Sequence, residues 1–467
     1  MDTAFLVQFA YLVSAVLFIF GIMRMSAAKT AVSGNAVAAV GMLVAIVATL
    51  LNRGIVSYTV IIAGVVVGSA IGVALAVRIQ MTAMPQMVAL LNGFGGIASV
   101  LVASAELLRG GASLSEGSQV VPVAIFLGIL IGGITFTGSV VAFAKLQEVM
   151  TGSPITYPGQ QIVNGAIFLI AIASGVMMVQ DPTDLRAFVV LVITANVLGV
   201  LSVIPIGGAD MPVVISLLNS YSGLAACATG FVLGNGGLVI SGSLVGSAGI
   251  ILTKIMCDAM NRSITNVLFG AFGAAAASAS GGGAGGGPDR GPVKGYTPED
   301  AAIVFNSARS AIIVPGYGMA VAQAQHAVRE LMDVLEAKGV KVRFAIHPVA
   351  GRMPGHMNVL LAEANVPYEK LVEMDQINSD FGETDVALVI GANDVVNPAA
   401  REDQGSPIYG MPILDVDHAQ HVMVIKRSLN PGFAGIDNPL FYKENTMMIF
   451  GDAKGTATAM AEAVQES

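Results

Sequence analysis

Nine apolar runs, each about 20 residues long, fill the first 255 positions of the chain: 4–23, 33–51, 55–77, 84–106, 119–142, 161–180, 185–204, 212–233 and 236–255. A hydrocarbon core about 30 Å thick takes roughly 20 residues of helix to cross, so each run predicts a transmembrane helix. An odd number of crossings leaves the two ends of the bundle on opposite sides. Alternate connections carry Arg24, Lys29, Arg78, Lys145, Lys254 and Arg262 on one side and Arg53, Arg109 and Arg186 on the other. The positive-inside rule therefore puts the C-terminal part in the cytoplasm.

After Thr297 the pattern changes. Short β-branched runs at Ala311–Pro315, Val340–Ile346, Val386–Ile390, Pro412–Val416, Val422–Ile425 and Met447–Phe450 alternate with helical stretches at Pro298–Ser307, Met319–Ala337 and His356–Ala364. That alternation predicts a parallel doubly wound sheet, which takes its ligand at the carboxyl ends of the strands. Between the two regions the chain reads AAAASASGGGAGGG over 274–287, a composition that cannot build a core and behaves as a tether. The expected organisation is an α-helical membrane bundle over 1–262, a Gly/Ala-rich linker over 263–295, and a soluble α/β Rossmann-like parallel-sheet domain over 296–467.

Composition sharpens this division. Of 467 residues, 54% are apolar and 12% charged, with a mean hydropathy of +0.75, which excludes a purely soluble protein. Residues 1–270 carry 9 basic and 8 acidic side chains, whereas 271–467 carry 14 and 23. Neither part concentrates the Lys and Arg that a phosphate backbone requires, so no nucleic-acid partner is expected. Cys227 and Cys257 fall in or beside apolar segments and support no disulfide framework. No metal-ligand cluster is expected. The first apolar run follows Asp2 rather than a basic region with a cleavage site, so it reads as a retained helix and not a signal peptide.

The sharpest local signal is Ile312-Ile-Val-Pro-Gly316-Tyr317-Gly318-Met319-Ala320-Val321, a strand that enters a glycine turn opening a helix. Gly316 suits a tight turn and Gly318 a close backbone approach to a pyrophosphate at the helix N-terminus. The motif is GxGxxV and not the full GxGxxG. An NAD site ends its second strand in a carboxylate, but here that strand runs into His347-Pro-Val349-Ala350-Gly351-Arg352. With Lys426-Arg427-Ser428 at another strand end, positive charge and a hydroxyl favour a 2′-phosphate, hence NADP over NAD. Gly391-Ala392-Asn393-Asp394 and Gly451-Asp452-Ala453-Lys454 are further polar strand ends suited to line a nucleotide.

Polar residues within the membrane runs are costly unless partnered or wet. Asn92, Glu106, Ser139, Asn164, Asn196, Asn219 and Ser222 are of this kind, together with Asp210 at a helix mouth in Gly207-Gly-Ala-Asp210-Met-Pro212. Asp210 is titratable and is the better candidate for proton coupling. All five histidines lie in the C-terminal part, so no membrane imidazole relay is available from this chain. Gly64-Val-Val-Val-Gly68 and Gly242-Ser-Leu-Val-Gly246 place small residues on one face for close helix packing.

Taken together, these features resemble the beta subunit family of the proton-translocating NAD(P)+ transhydrogenase. The resemblance covers essentially the whole chain and rests on long stretches, among them Thr135-Phe-Thr-Gly-Ser-Val-Val-Ala142, Ile206-Gly-Gly-Ala-Asp-Met-Pro-Val213, Leu218-Asn-Ser-Tyr-Ser-Gly223, Pro315-Gly-Tyr-Gly-Met-Ala-Val-Ala-Gln-Ala-Gln325, Pro354-Gly-His-Met-Asn-Val-Leu-Leu-Ala-Glu363 and Lys426-Arg-Ser428. It implies that loops from Gly316, His347, Gly391, Lys426 and Gly451 wrap NADP(H), with Lys426, Arg427 and Ser428 around the 2′-phosphate. It implies an alpha subunit that holds NAD(H), direct hydride transfer to NADP+ driven by inward proton flow, and a dimer of the complete assembly in a bacterial inner membrane. Asp394 is the residue expected to link proton binding to cofactor affinity, and Asn92, Ser139, Asp210 and Asn219 form the expected proton path. Some members carry histidine at the position of Asn92. Asparagine does not titrate near neutrality, so the path here must use held water or a group from the partner. A nucleotide-gated channel or transporter is the alternative, for which the full GxGxxG, an acidic second strand end and a filter are missing.

Overall fold

The computed structural model describes residues 3–51, 58–110, 114, 119–269, 293–353, 355–432 and 434–467. The low-complexity run over 274–287 lies outside the described residues. The chain divides into two compact units, Met1–Thr253 and Lys254–Ser467, each with its own core.

Nine helices in the first region are long and apolar enough to cross a membrane, among the described residues. They are α1 (Thr3–Met25), α2 (Ala28–Leu50), α3 (Tyr58–Arg78), α4 (Met84–Gly110), α5 (Val120–Leu146), α6 (Gln160–Gln180), α7 (Leu185–Val203), α8 (Met211–Leu233) and α9 (Gly236–Ala259). Every apolar run of the sequence falls on one of them. The centre of the bundle is α4, α5, α7 and α8, which hold most of the buried positions. Their closeness depends on absent side chains: a Cβ on Gly96 would stand 2.6 Å from the carbonyl of Gly132, and one on Gly132 2.7 Å from that of Gly96. No real Cβ tolerates such a distance, so glycine at both positions is what lets α4 and α5 touch backbone to backbone. Gly223 and Gly242 play the same part between α8 and α9, where a Cβ on Gly242 would lie 2.7 Å from the carbonyl of Gly223. The second small-residue stripe behaves differently. Gly64, Gly68 and Gly72 of α3 have open space where a Cβ would stand, and α3 buries no residue; the expected packing of Gly64 and Gly68 does not form within the described chain.

The second region opens with α10 (Ile264–Phe269) and continues through β1 (Gly295–Tyr296), α11 (Pro298–Ser307), β2 (Ser310–Pro315), α12 (Tyr317–Val321), α13 (Gln325–Ala337), β3 (Lys341–Ile346), α14 (His356–Glu363), β4 (Leu371–Glu373), β5 (Val386–Ile390), β6 (His421–Lys426), β7 (Thr446–Phe450) and α15 (Ala453–Glu466). The strands form one seven-stranded sheet in the order β1-β7-β6-β5-β2-β3-β4, parallel throughout. Both faces are covered, which is why the strands read as continuous apolar runs rather than alternating ones. On one face Ile312, Val314, Ala387, Val389, Val422, Val424 and Met448 pack against Phe381, Val395, Leu414 and Phe441. The alternate positions Ile313, Leu388, Met423 and Ile449 are equally buried, and period-two geometry turns them to the side of α11, α13 and α15. A capping box starts α11: Thr297 Oγ1 accepts from Asp300 N while Asp300 Oδ2 accepts from Thr297 N at 2.9 Å.

Two expectations fail here. Pro412–Val416 buries Ile413, Leu414 and Val416 but joins no ladder, and at Val416 it turns into a single 3-10 turn over Val416–His418. Pro412 has no N–H to give, its carbonyl is taken by His347, and Ile413 O and Asp415 N are satisfied by the side chain of Asn378 at 2.9 Å each. The helix read over Met319–Ala337 is two helices, because Gln323 adopts φ +50 between α12 and α13 and Ala324 N turns back to Met319 O. The short edge strands β1 and β4 carry too few residues to show a period.

Candidate functional site

Sheet order decides where a ligand can lie. From β2 the chain moves outward through β3 to β4, then returns to place β5 on the other side of β2. The loops after β2 and β5 therefore diverge at a switch point, the place where open parallel sheets form their crevice. A cleft of about 560 Å³ opens there, lined by Gly318, Val321, Gly391, Ala392, Asn393, Lys426, Arg427, Ser428, Gly451, Asp452 and Ala453.

Its floor is two interlocked glycine turns. Gly316 N donates to Ile390 O at 2.9 Å and Gly318 N to Gly391 O at 2.8 Å. A Cβ on Gly316 would stand 2.4 Å from Ala392 Cα, and one on Gly391, at φ +71, would stand 2.1 Å from Met319 N. The glycines thus serve the approach of one loop to the other. The amide of Gly318 is committed to that contact instead of projecting toward a phosphate, and Met319 and Ala320 are buried beneath it.

The wall beyond β6 is made by a segment that pattern reading missed. Asn430, Pro431 and Gly432 line the cleft with Ala322 and Ile425; the Asn-Pro-Gly tripeptide is a turn signal that could have revealed them. This segment is drawn over the strand tips by specific bonds. Asp394 Oδ2 accepts from Ala434 N at 3.0 Å, and Asn393 O accepts from Asn438 Nδ2 at 3.1 Å. With its amide oxygen turned inward, Asn393 also accepts from Gly432 N at 2.7 Å and from Lys426 Nζ at 3.0 Å. Lys426 Nζ further donates to Asn430 O and lies 4.7 Å from the centre of the Phe441 ring. Burial holds the ammonium below its usual range against the opposing pull of Asp394 and Asp437. The two adjacent cations therefore differ: Lys426 is half-buried and ties the loop, while Arg427 and Ser428 are exposed on the rim. Asp452 accepts from Lys454 N and Gly455 N at 3.2 Å each, capping α15.

The loop after β3 forms a neighbouring cluster rather than cleft wall. His347 is 2% exposed; its Nε2 donates to Pro412 O at 2.9 Å and its Nδ1 accepts from Val349 N at 3.2 Å. Both ring nitrogens are spent on folding the loop, and burial, against the opposing Pro412 bond and Asp375 charge, pulls the imidazole down to about 4. Gly351, at φ +129, lets the chain turn against His356, whose Nδ1 accepts from Arg352 N at 3.1 Å. The Arg352 guanidinium stacks 4.4 Å from the Tyr317 ring centre, which ties this cluster to the residue between the two glycines of the floor. Ala350 is buried.

Within the membrane unit, Asn92, Ser139 and Asn219 sit on α4, α5 and α8, the helices packed together at the centre. Asn92 Nδ2 donates to Ile215 O at 3.3 Å, and Ser139 is fully buried with no hydrogen-bond partner for its hydroxyl. Its Cβ lies 3.2 Å from where Gly93 would carry one, and Asn219, on α8, is half-buried. Asp210 lies at one end of the bundle, in the turn Gly208–Asp210 that precedes α8. Asn196 returns its amide to Val192 O within α7, a structural bond. Among the described residues no group of three or more His, Cys, Asp or Glu is placed to hold a metal ion.

A family described as NAD(P) transhydrogenase beta subunit matches residues 7–463. The chain belongs to that family. It is 51% identical over 461 residues to the NAD(P) transhydrogenase subunit beta of Rhodospirillum rubrum, a match that spans 97% of this chain and 98% of that protein. The same-named protein of a specified strain of that organism matches to the same extent. Membership makes the chain a membrane-embedded subunit that works with an alpha subunit, and it places nicotinamide nucleotides in the system.

Proposed function

We propose that this chain binds NADP(H) in the cleft at the β2/β5 switch point and that its membrane bundle couples the resulting hydride transfer to inward proton movement. The observation that carries the nucleotide reading is the cleft itself: about 560 Å³ at the strand tips, floored by interlocked glycine turns, with Arg427 and Ser428 exposed on its rim. The residues present fit the group. A guanidinium and a hydroxyl beside one another suit a 2′-phosphate, and no carboxylate stands at the end of β3 to select a free ribose hydroxyl. The glycine floor at Gly318 and Gly391 leaves room in which a pyrophosphate would be held, and Asn430, Pro431 and Gly432 would close the cleft over it. Lys426 acts twice, adding positive potential at the rim and fixing that segment through Asn430 and Asn393.

When bound, the nicotinamide ring supplies the hydride-accepting carbon; NADH, held by the alpha subunit, is the donor. A direct hydride step needs no acid or base from the protein, so the chain's task is to align the rings and exclude water. Asp394 holds Ala434 and influences Lys426, so a change in its charge is transmitted to the covering segment and to cofactor affinity. Affinity and proton occupancy must then shift one another equally. In the membrane unit, Asn92, Ser139 and Asn219 hold water along the centre of the bundle, and Asp210 receives or delivers the proton at its end. The chain works as a membrane part over 1–262, a linker over 263–295 that begins with α10 and ends where β1 starts at Gly295, and a cytoplasmic 296–467, in a dimer of the complete assembly in a bacterial inner membrane.

Vesicles carrying this chain and its alpha subunit, given NADH and NADP+, test the reading. NADPH formation should be accompanied by a change in internal pH. NADPH formation without that change would remove the coupling, and ion flux without NADPH would remove the function.

A further inference from the structure

Lys145, the penultimate residue of α5, is 3% exposed. Its ammonium donates to Ile204 O at 2.6 Å, to Ile206 O at 2.7 Å and, more weakly, to Ser153 O at 3.4 Å. These three carbonyls use all three of its protons. No carboxylate among the described residues lies within ion-pair distance of it, so carbonyl dipoles alone offset the buried charge. Ile204 caps the C-terminus of α7, where the helix dipole favours a cation. The same strap is bound a second time by backbone: Ile155 N donates to Ile204 O at 3.2 Å and Gly208 N to Gly152 O at 2.8 Å. Gln86 Nε2, at the start of α4, adds a bond to Leu146 O at 3.1 Å. Four residues beyond Ile206 the strap ends at Asp210, and Pro212 follows in the first turn of α8.

We propose that Lys145 is a positioning residue for proton coupling: it pins the Ile204–Asp210 strap between α7 and α8 and so holds the Asp210 carboxyl group in register with the centre of the bundle. The inference rests on the coupling role read for the membrane unit above. Burying an ammonium among neutral dipoles costs free energy that a methionine of similar reach would not, so the cation is an expensive way to join α5 to a loop unless the position of the strap matters. Removing it leaves the carbonyl of the buried Ile206 without this donor and Ile204 O with only its bond from Ile155 N, and frees the strap at the end that carries Asp210.

The test uses the full chain with its alpha subunit in vesicles and two readouts. One is NADPH formation from NADH and NADP+ with its pH change. The other is hydride exchange between labelled NADH and NAD+ through NADP(H) that stays bound, which moves no net proton. Lys145→Met should lower the first about tenfold or more and change the second less than about twofold, and Lys145→Arg should keep at least about a third of the first. A Cβ on Gly208 would lie 3.9 Å from Gly152 Cα, which puts the two Cα atoms within about 5.5 Å, a span that a disulfide bridges. Gly152→Cys with Gly208→Cys in the Lys145→Met background should therefore regain proton-linked turnover on oxidation and lose it on reduction. Proton-linked turnover unaffected by Lys145→Met, or an equal fall in both readouts, overturns the proposal. Should Lys145→Met not reach the membrane, the cysteine pair alone decides: oxidation that leaves the proton-linked rate within about twofold of the reduced form supports a fixed strap, and a tenfold fall on oxidation overturns it. A native assembly that moves no proton at all would instead overturn the coupling reading itself.

Discussion

Acidification from pH 7 to pH 5 should destabilise the sheet domain through two histidines that take no part in hydride transfer. Burial pulls both His347 and His356 from 6.5 to about 4, with the Arg352 charge adding to the effect on His356. The unfolded chain therefore binds protons that the folded one refuses. This contribution to stability is whole above about pH 6.5, falls as pH drops toward 4, and changes no further below that. With these values each ring loses about 2 kcal/mol between pH 7 and 5, or about 4 kcal/mol for the pair. Asp380, Asp385 and Asp417, whose carboxyls sit below their usual range, lose their contribution only below about pH 4 and leave the window clear. Residues 293–467 contain a complete sheet and their own core, so urea unfolding of that fragment is the assay. At a slope of about 2 kcal/mol per molar, the midpoint should fall by about 2 M. His347→Gln with His356→Gln should abolish most of that fall. A midpoint that moves less than about 0.3 M between the two pH values, or moves equally in the double variant, would mean that the two buried imidazoles do not govern the acid sensitivity of the domain.

Other perturbations separate the parts of the cleft. Arg427→Gln should weaken NADP(H) binding about tenfold to a hundredfold and leave NAD(H) binding unchanged, measured by calorimetry, because it removes one charge-assisted contact from the rim. Lys426→Met should weaken NADP(H) binding and also raise amide exchange over 428–434, since the ammonium ties that segment to Asn393 and Asn430. Gly391→Ala should abolish binding or folding of the domain, read by near-ultraviolet circular dichroism, as its Cβ would overlap Met319 N at 2.1 Å. Asp394→Asn should slow proton-driven NADPH formation while leaving the sheet intact; an unchanged rate would remove Asp394 from coupling.

Much of this architecture is written locally. A run of 20 apolar residues needs no partner to be read, which is why the nine long apolar helices among the described residues were legible, and β2, β3, β5, β6 and β7 stand out as strands buried on both faces. The glycine turns at Gly316 and Gly391 and the cations at Lys426 and Arg427 were visible because each departs from its surroundings. What stayed hidden depends on contacts between distant residues. The Pro412–Val416 run has strand composition, but its polar groups are met by His347 and Asn378, 65 and 35 residues away. His347 reads as a polar strand end, yet both its nitrogens face protein. The different fates of Lys426 and Arg427 follow from the return of Asn430–Gly432 over the strand tips, which no local pattern encodes.

Titration of the chain with NADP+ and with NAD+ under identical salt and pH reads its nucleotide choice directly. NADP+ should bind about a hundredfold more tightly, and Arg427→Gln should erase most of the difference. Equal affinities for the two nucleotides, or a preference for NAD+, would contradict NADP(H) binding in the cleft.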